Sequence, residues 1–160
     1  MPQSLPAEVI AKLRREALTE APTLLLRNPS FRDVPALGVL METGYPQSVV
    51  TLVSLIDGGA SIYFSSGGGV IGGEGHEPVR LAARRFTQFA GLHLSEMSRC
   101  SDFPLPGIGL TIFYVLTQGG VFTQSMLEQE VGGGTHSFSP LFYTGQCVIT
   151  QLRMVSEKRK

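Results

Sequence analysis

The chain has 160 residues, enough for one domain (1–160) that removes roughly 70% of its extended-chain surface from water. Apolar residues make up 42% and charged residues only 16%, with 13 basic and 13 acidic side chains in balance. That balance provides no global field for nucleic acid or an anionic membrane, and a surface so lean in charge suits a homo-oligomer.

Residues 5–20 are predicted to form an amphipathic helix. Val9, Ile10, Leu13 and Ala17 fall on its inner face, while Lys12, Arg14, Arg15 and Glu16 are expected on the solvent side. A connection punctuated by Pro29 and Pro35 follows. Three strands are then predicted, at 36–43, 48–57 and 60–66, and Asp57-Gly58-Gly59 supplies a hairpin signal between the last two. The 48–57 strand is apolar or hydroxyl-bearing on both alternating faces, so it is expected to be central and covered on both sides.

From Glu77 to Leu94 the apolar period changes from two to 3.6 residues. Val79, Ala82, Ala83, Phe86, Phe89, Ala90, His93 and Met97 make one stripe, which predicts a helix over 77–94. Residues 98–107 are a proline-stiffened loop. A hairpin over 108–131 follows, turning at Gly119-Gly120, with its second strand at 121–131. The last element is a helix over 139–156, with Ser139 as N-cap and Pro140 at the first helical position. Gly145 on its buried stripe is expected to bring the helix backbone close to the sheet. Cys147 is expected to be a small core residue there, and Cys100 the more exposed thiol. The closing run Ser156-Glu157-Lys158-Arg159-Lys160 is read as a solvated tail.

The predicted architecture is therefore α+β: a five-stranded antiparallel sheet with about three helices in the order α-βββ-α-ββ-α. Strand, glycine turn, strand, glycines, histidine, proline and helix occur at 49–94 and again at 109–156, pairing His76 with His136. This order reads as two ββα units in one sheet.

Six of the nine residues from 67 to 75 are glycine. Glycine gathers where amides must cradle an anion, or where the chain must turn in a space too tight for side chains. Gly67, Gly69 and Gly72 satisfy the spacing G-x-G-x-x-G. The Glu-Gly-His-Glu-Pro that follows delays the helix, so its N-terminus is not where a dinucleotide pyrophosphate would need it. No Gly-Lys-Ser/Thr follows either, which excludes a P-loop. A candidate ligand or anion site remains at Gly67, Gly68, Gly69, Gly72 and Gly73, with His76 and Arg80 at the helix start and His136 at the equivalent place. Glu74 and Glu77 would repel a phosphate there, and the recurrence of the glycine crossing favours a structural role. His93, on the apolar stripe, is expected to be a hydrogen-bonded core or interface residue.

No catalytic set assembles. Ser65 and Ser66 lack a G-x-S-x-G elbow, and Cys100 has no nearby histidine in sequence. Cys100 and Cys147 give neither a disulfide framework nor metal-ligand spacing, although one Cys100–Cys147 bridge is an alternative. No cofactor and no metal is expected. No apolar run approaches the roughly 18 residues that cross a bilayer, and the N-terminus lacks the order of a signal peptide. No membrane association and a cytoplasmic location are the expectations.

The element order over residues 5–156 resembles the roadblock/longin group of profilin-like folds, by topology and without a diagnostic motif. Roadblock domains place two strands before the middle helix and three after, against three and two predicted here. The resemblance implies a small dimerising module that binds partner proteins, often small GTPases, without catalysis of its own. The expected function is a non-catalytic, homo-oligomeric interaction or regulatory module, its contact surface on the 77–94 helix or the 121–131 strand as an open edge. The alternative is a small-ligand or anion-binding domain, or a small enzyme, using loop 67–76.

Overall fold

Strand β1 (Gly38–Gly44) is buried at all seven positions, so both of its faces must be covered by other elements. The computed structural model, which describes residues 5–72 and 75–158, shows how. β1 is the centre of one seven-stranded sheet in the order β4-β3-β2-β1-β6-β7-β5. Its neighbours are β2 (Val49–Leu55), β3 (Ala60–Phe64) and β4 (Gly69–Val70) on one side. On the other lie β6 (Leu110–Thr117), β7 (Gly120–Leu127) and β5 (Ser98–Cys100). Every ladder is antiparallel, and one isolated parallel bridge joins Gly44 to Ile108.

The side-chain period of two divides the sheet into two cores. Val39, Met41, Leu52, Ile62, Phe113 and Val115 point to one face. It is covered by α3 (Glu77–Gly91) and α5 (Ser139–Lys158). Leu40, Val53, Tyr63, Ile112, Tyr114 and Leu116 point to the other face. That face is covered by α1 (Ala7–Thr19) and the short α2 (Ala21–Leu25). Gly145 does what its position suggests: a Cβ there would stand 2.8 Å from Met41 Sδ and 3.0 Å from Phe86 Cζ. The helix therefore crosses β1 and α3 at closest approach where it has no side chain.

The α+β class and the antiparallel sheet match the sequence reading, but the strand count does not. There are seven strands rather than five, because β4 and β5 are two and three residues long. β4 lies within the glycine run and β5 in polar sequence, and neither carries a strand signal. Four strands precede α3 and three follow it. The described residues form five helices rather than about three, the additions being α2 and α4 (Glu128–Gly132). The 121–131 segment is therefore strand only to Leu127. It is also not an edge strand, since β5 pairs with it through Ser98↔Thr123, Arg99↔Phe122 and Cys100↔Val121.

Beyond β5 the outer side of β7 is held by a side chain. Gln124 Nε2 donates to the Glu96 carbonyl, and its Oε1 accepts from Ser125 N, both at 3.0 Å. The amide thus stands where a further peptide of β5 would stand.

Candidate functional site

The first three glycines of the run have backbone partners within the chain. Gly67 N donates to Phe64 O at 2.8 Å and Gly68 N to Leu5 O at 2.9 Å. Gly69 pairs with Tyr63 in the β3–β4 ladder. Gly67 and Gly68 have φ of 115° and 88°, the left-handed region that glycine enters at no steric cost. A Cβ on Gly69 would overlap the Ile62 carbonyl. These three residues make a tight hairpin under the N-terminal segment, and the amides of Gly67 and Gly68 face chain carbonyls. Gly72, with φ 77°, continues the turn toward α3; Gly73 lies outside the described residues.

The charged and imidazole groups proposed beside that run are dispersed. Arg80 pairs with Glu77 one turn away at 2.7 Å, and its stem lies against Gly58 in the β2–β3 turn. His76 precedes α3 in extended conformation, and its carbonyl accepts from Arg80 N. α3 and α5 run antiparallel: His93, just beyond α3, meets Phe138 (ring centroids 4.8 Å apart) at the start of α5. Near the middle of both helices, Phe86 meets Gly145. His76 and His136 consequently sit at opposite ends of the helix pair, so the equivalence in sequence order does not become proximity.

The residue that the fold brings near His136 is His93, since both rings contact Phe138. His136 Nδ1 accepts from Phe138 N at 3.0 Å, which closes the turn into α5. His93 is 8% exposed, and its Nδ1–H donates to the Phe89 carbonyl at 3.2 Å. Both histidines bond at helix ends, His93 at the end of α3 and His136 at the start of α5. Among the described residues no three His, Cys, Asp or Glu side chains converge as metal ligands would.

The strongest electrostatic feature lies on the opposite face, at residues the sequence reading left on the surface. Arg14 falls four residues from both Ile10 and Leu18, the two buried residues of α1, and so shares their stripe. It points inward to Glu42, on the same face of β1 as Leu40. Arg14 Nε donates to Glu42 Oε2 at 2.6 Å and one of its terminal nitrogens to Oε1 at 2.9 Å. Thr51 Oγ1 donates to Oε2 at 2.6 Å, and Arg14 also donates to the Phe103 carbonyl at 2.8 Å.

Glu42 is fully buried. Burial by itself would depress the Arg14 guanidinium; the Glu42 hydrogen bonds and charge outweigh it, and the net direction is up. Tyr114 completes the group. Its hydroxyl donates to Pro104 O at 2.6 Å, and Arg14 lies 5.9 Å from its ring centroid. Burial, followed by the Glu42 charge, pushes its pKa up to about 12. The cluster ties α1, β1, β2 and the 101–106 loop together. A cleft of about 340 Å³ opens beside it, with Ile10, Thr51, Ser65 and Phe103 among its lining residues. Each hydrogen-bonding group named in the cluster already has a chain partner, so the arrangement is a clamp.

The outer surface of the α3–α5 layer is different in character. A groove of about 550 Å³ runs between the helices, lined by Pro78, Leu81 and Arg85 of α3 and by Tyr143, Cys147 and Gln151 of α5. Leu81 and Tyr143 are 43% and 46% exposed. Cys147 is exposed and Cys100 half-buried, the reverse of the expected order, and both are free thiols. The reason is helical phase. Two residues are a turn of 200°, so Cys147 points away from the sheet that Gly145 touches.

Comparison of the chain with protein-family models, with curated proteins and with solved structures gives no match. No helix among the described residues is long and apolar enough to cross a membrane.

Proposed function

We propose that the chain is a non-catalytic, homo-oligomeric interaction module whose contact surface is the outer face of the α3–α5 layer. The observation that carries this reading is the groove between the two helices, with Leu81 and Tyr143 exposed along it. Large apolar side chains that line a common groove, rather than standing singly, mark a surface that meets another protein. The amide partners of Gly67 and Gly68 favour this reading over an anion site at loop 67–76. The partner class implied by the roadblock-like element order is a small GTPase, an analogy of fold alone.

Native mass spectrometry of the gently purified protein, without added ligand, tests the reading. A clean multiple of 17.2 kDa is expected. A monomer retaining a small molecule would overturn it in favour of a ligand-binding domain.

A further inference from the structure

Five of the residues that α5 turns outward form an uncharged seam. Pro140, Tyr143, Cys147, Thr150 and Met154 are all exposed and follow one another at alternating spacings of three and four. That spacing keeps a helix seam facing a second helix along its whole length. Thr144 and Gln151 flank the seam on one side, the exposed Arg153 stands beside Thr150 and Met154 on the other, and Arg85 of α3 lines the adjoining groove.

Three of its polar groups are already engaged inside the chain. Thr144 Oγ1 donates to Pro140 O at 2.8 Å, Thr150 Oγ1 to Gln146 O at 3.1 Å, and Tyr143 OH to Gly132 O at 3.1 Å. Covering the seam therefore leaves none of these three donors without an acceptor, which removes the usual cost of burying a hydroxyl.

We propose that the occupant is a second copy of this chain, its α5 laid antiparallel on the first about a two-fold axis at Cys147. This rests on the homo-oligomeric reading above and names its geometry. The seam is centred on Cys147, with Tyr143 and Thr150 on either side and Pro140 and Met154 at its ends. An antiparallel two-fold pairing then sets Cys147 against Cys147, Thr144 against Thr150, Tyr143 against Gln151 and Pro140 against Met154. No like charges meet across these pairs, and an isologous contact closes on itself.

The area is of the right order. α5 and α3, with 20 and 15 residues, are about 30 and 22 Å long and about 10 Å across. They offer roughly 500 Å² in projection, and more once corrugated, against about 800 Å² per partner in a standard interface.

The test is oxidative cross-linking of the full chain carrying Cys100→Ser, with copper–phenanthroline at low protein concentration, read on a non-reducing gel beside native mass spectrometry. A disulfide dimer through Cys147 is expected, with none when Cys147→Ser is added. Met154→Cys in the cysteine-free background is the control. Antiparallel pairing holds the two copies of position 154 about 21 Å apart along the helices, far beyond the 7 Å or so that a disulfide spans. Efficient cross-linking at 154 would mean random collision or a parallel arrangement and would overturn the proposal. Thr150→Arg places two charges in the seam and is expected to weaken dimerisation at least tenfold. A dimer that neither cross-links at Cys147 nor responds to Thr150→Arg refutes this geometry and leaves self-association standing; a monomer refutes both.

Discussion

Arg14 and Glu42 are 28 residues apart in sequence and meet through two hydrogen bonds, at 2.6 and 2.9 Å, with the carboxylate wholly removed from water. Taking one partner away strands the other charge. Glu42→Ala is expected to cost about 3–5 kcal/mol, whereas Arg14→Met combined with Glu42→Leu should cost far less, because no buried charge remains. Urea unfolding of the two single variants and the double variant measures the difference. Simple additivity of the single losses would count against the pairing.

Tyr114 makes stability fall in alkali. Its pKa is about 12 in the folded chain, against about 10 in an unfolded one. The unfolded state therefore loses this proton first as pH rises. The contribution is complete below pH 10 and is lost progressively toward pH 12, amounting to about 2–3 kcal/mol. Chemical denaturation across that range should show the decline, and Tyr114→Phe should make it shallower, burial having raised Tyr45 and Tyr63 as well. A decline of equal steepness in the variant would assign it to other groups.

Two glycines of the 67–75 run should respond differently to alanine. A Cβ on Gly69 would overlap the Ile62 carbonyl, whereas none of the described residues comes within 4 Å of one on Gly75. Gly69→Ala should cost about 1–3 kcal/mol through displaced backbone, and Gly75→Ala should stay within about 0.5 kcal/mol. Thermal melts of both variants suffice. Equal losses would contradict the structural role assigned to the β3–β4 turn.

Ser54 Oγ is buried beneath the α3–α5 layer without a hydrogen-bond partner among the described residues. Ser54→Ala removes the orphan hydroxyl at small volume change and should raise stability by about 1 kcal/mol. A loss of that size on urea unfolding would mean that the hydroxyl has a partner after all.

Leu81 stands 43% exposed at the groove between α3 and α5. Leu81→Glu should leave the melting temperature nearly unchanged while shifting the chain toward monomer in light scattering coupled to size exclusion. An unchanged oligomer would move the contact surface elsewhere.

The sequence announced the long elements because their periods are strong. The apolar stripe of α3 and the β-branched run of β2 are where periodicity placed them. The short strands β4 and β5 were invisible because two or three residues carry no period, and pairing with β3 and β7 alone makes them strands. Arg14 was misread because a charged residue on an amphipathic helix is assigned outward by chemistry, whereas its spacing from Ile10 and Leu18 assigns it inward. The signal that would have found it is Glu42, an acid within a strand covered on both faces. The glycine run resisted reading because glycine specifies a backbone that comes close to something without saying to what. The acceptors Phe64 O and Leu5 O show what two of these glycines, Gly67 and Gly68, come close to.

The side chain of Gln124, engaging both Glu96 O and Ser125 N, bears on how copies of this molecule can accumulate. A bare strand margin is a template on which further chains add without limit, the route to fibres. Here one margin is a strand of three residues, β5, with a glutamine amide where it stops, and the other is a strand of two. Growth by sheet extension is stunted in both directions, and the surface left for meeting another copy is helical, where assembly can stop at a finite number.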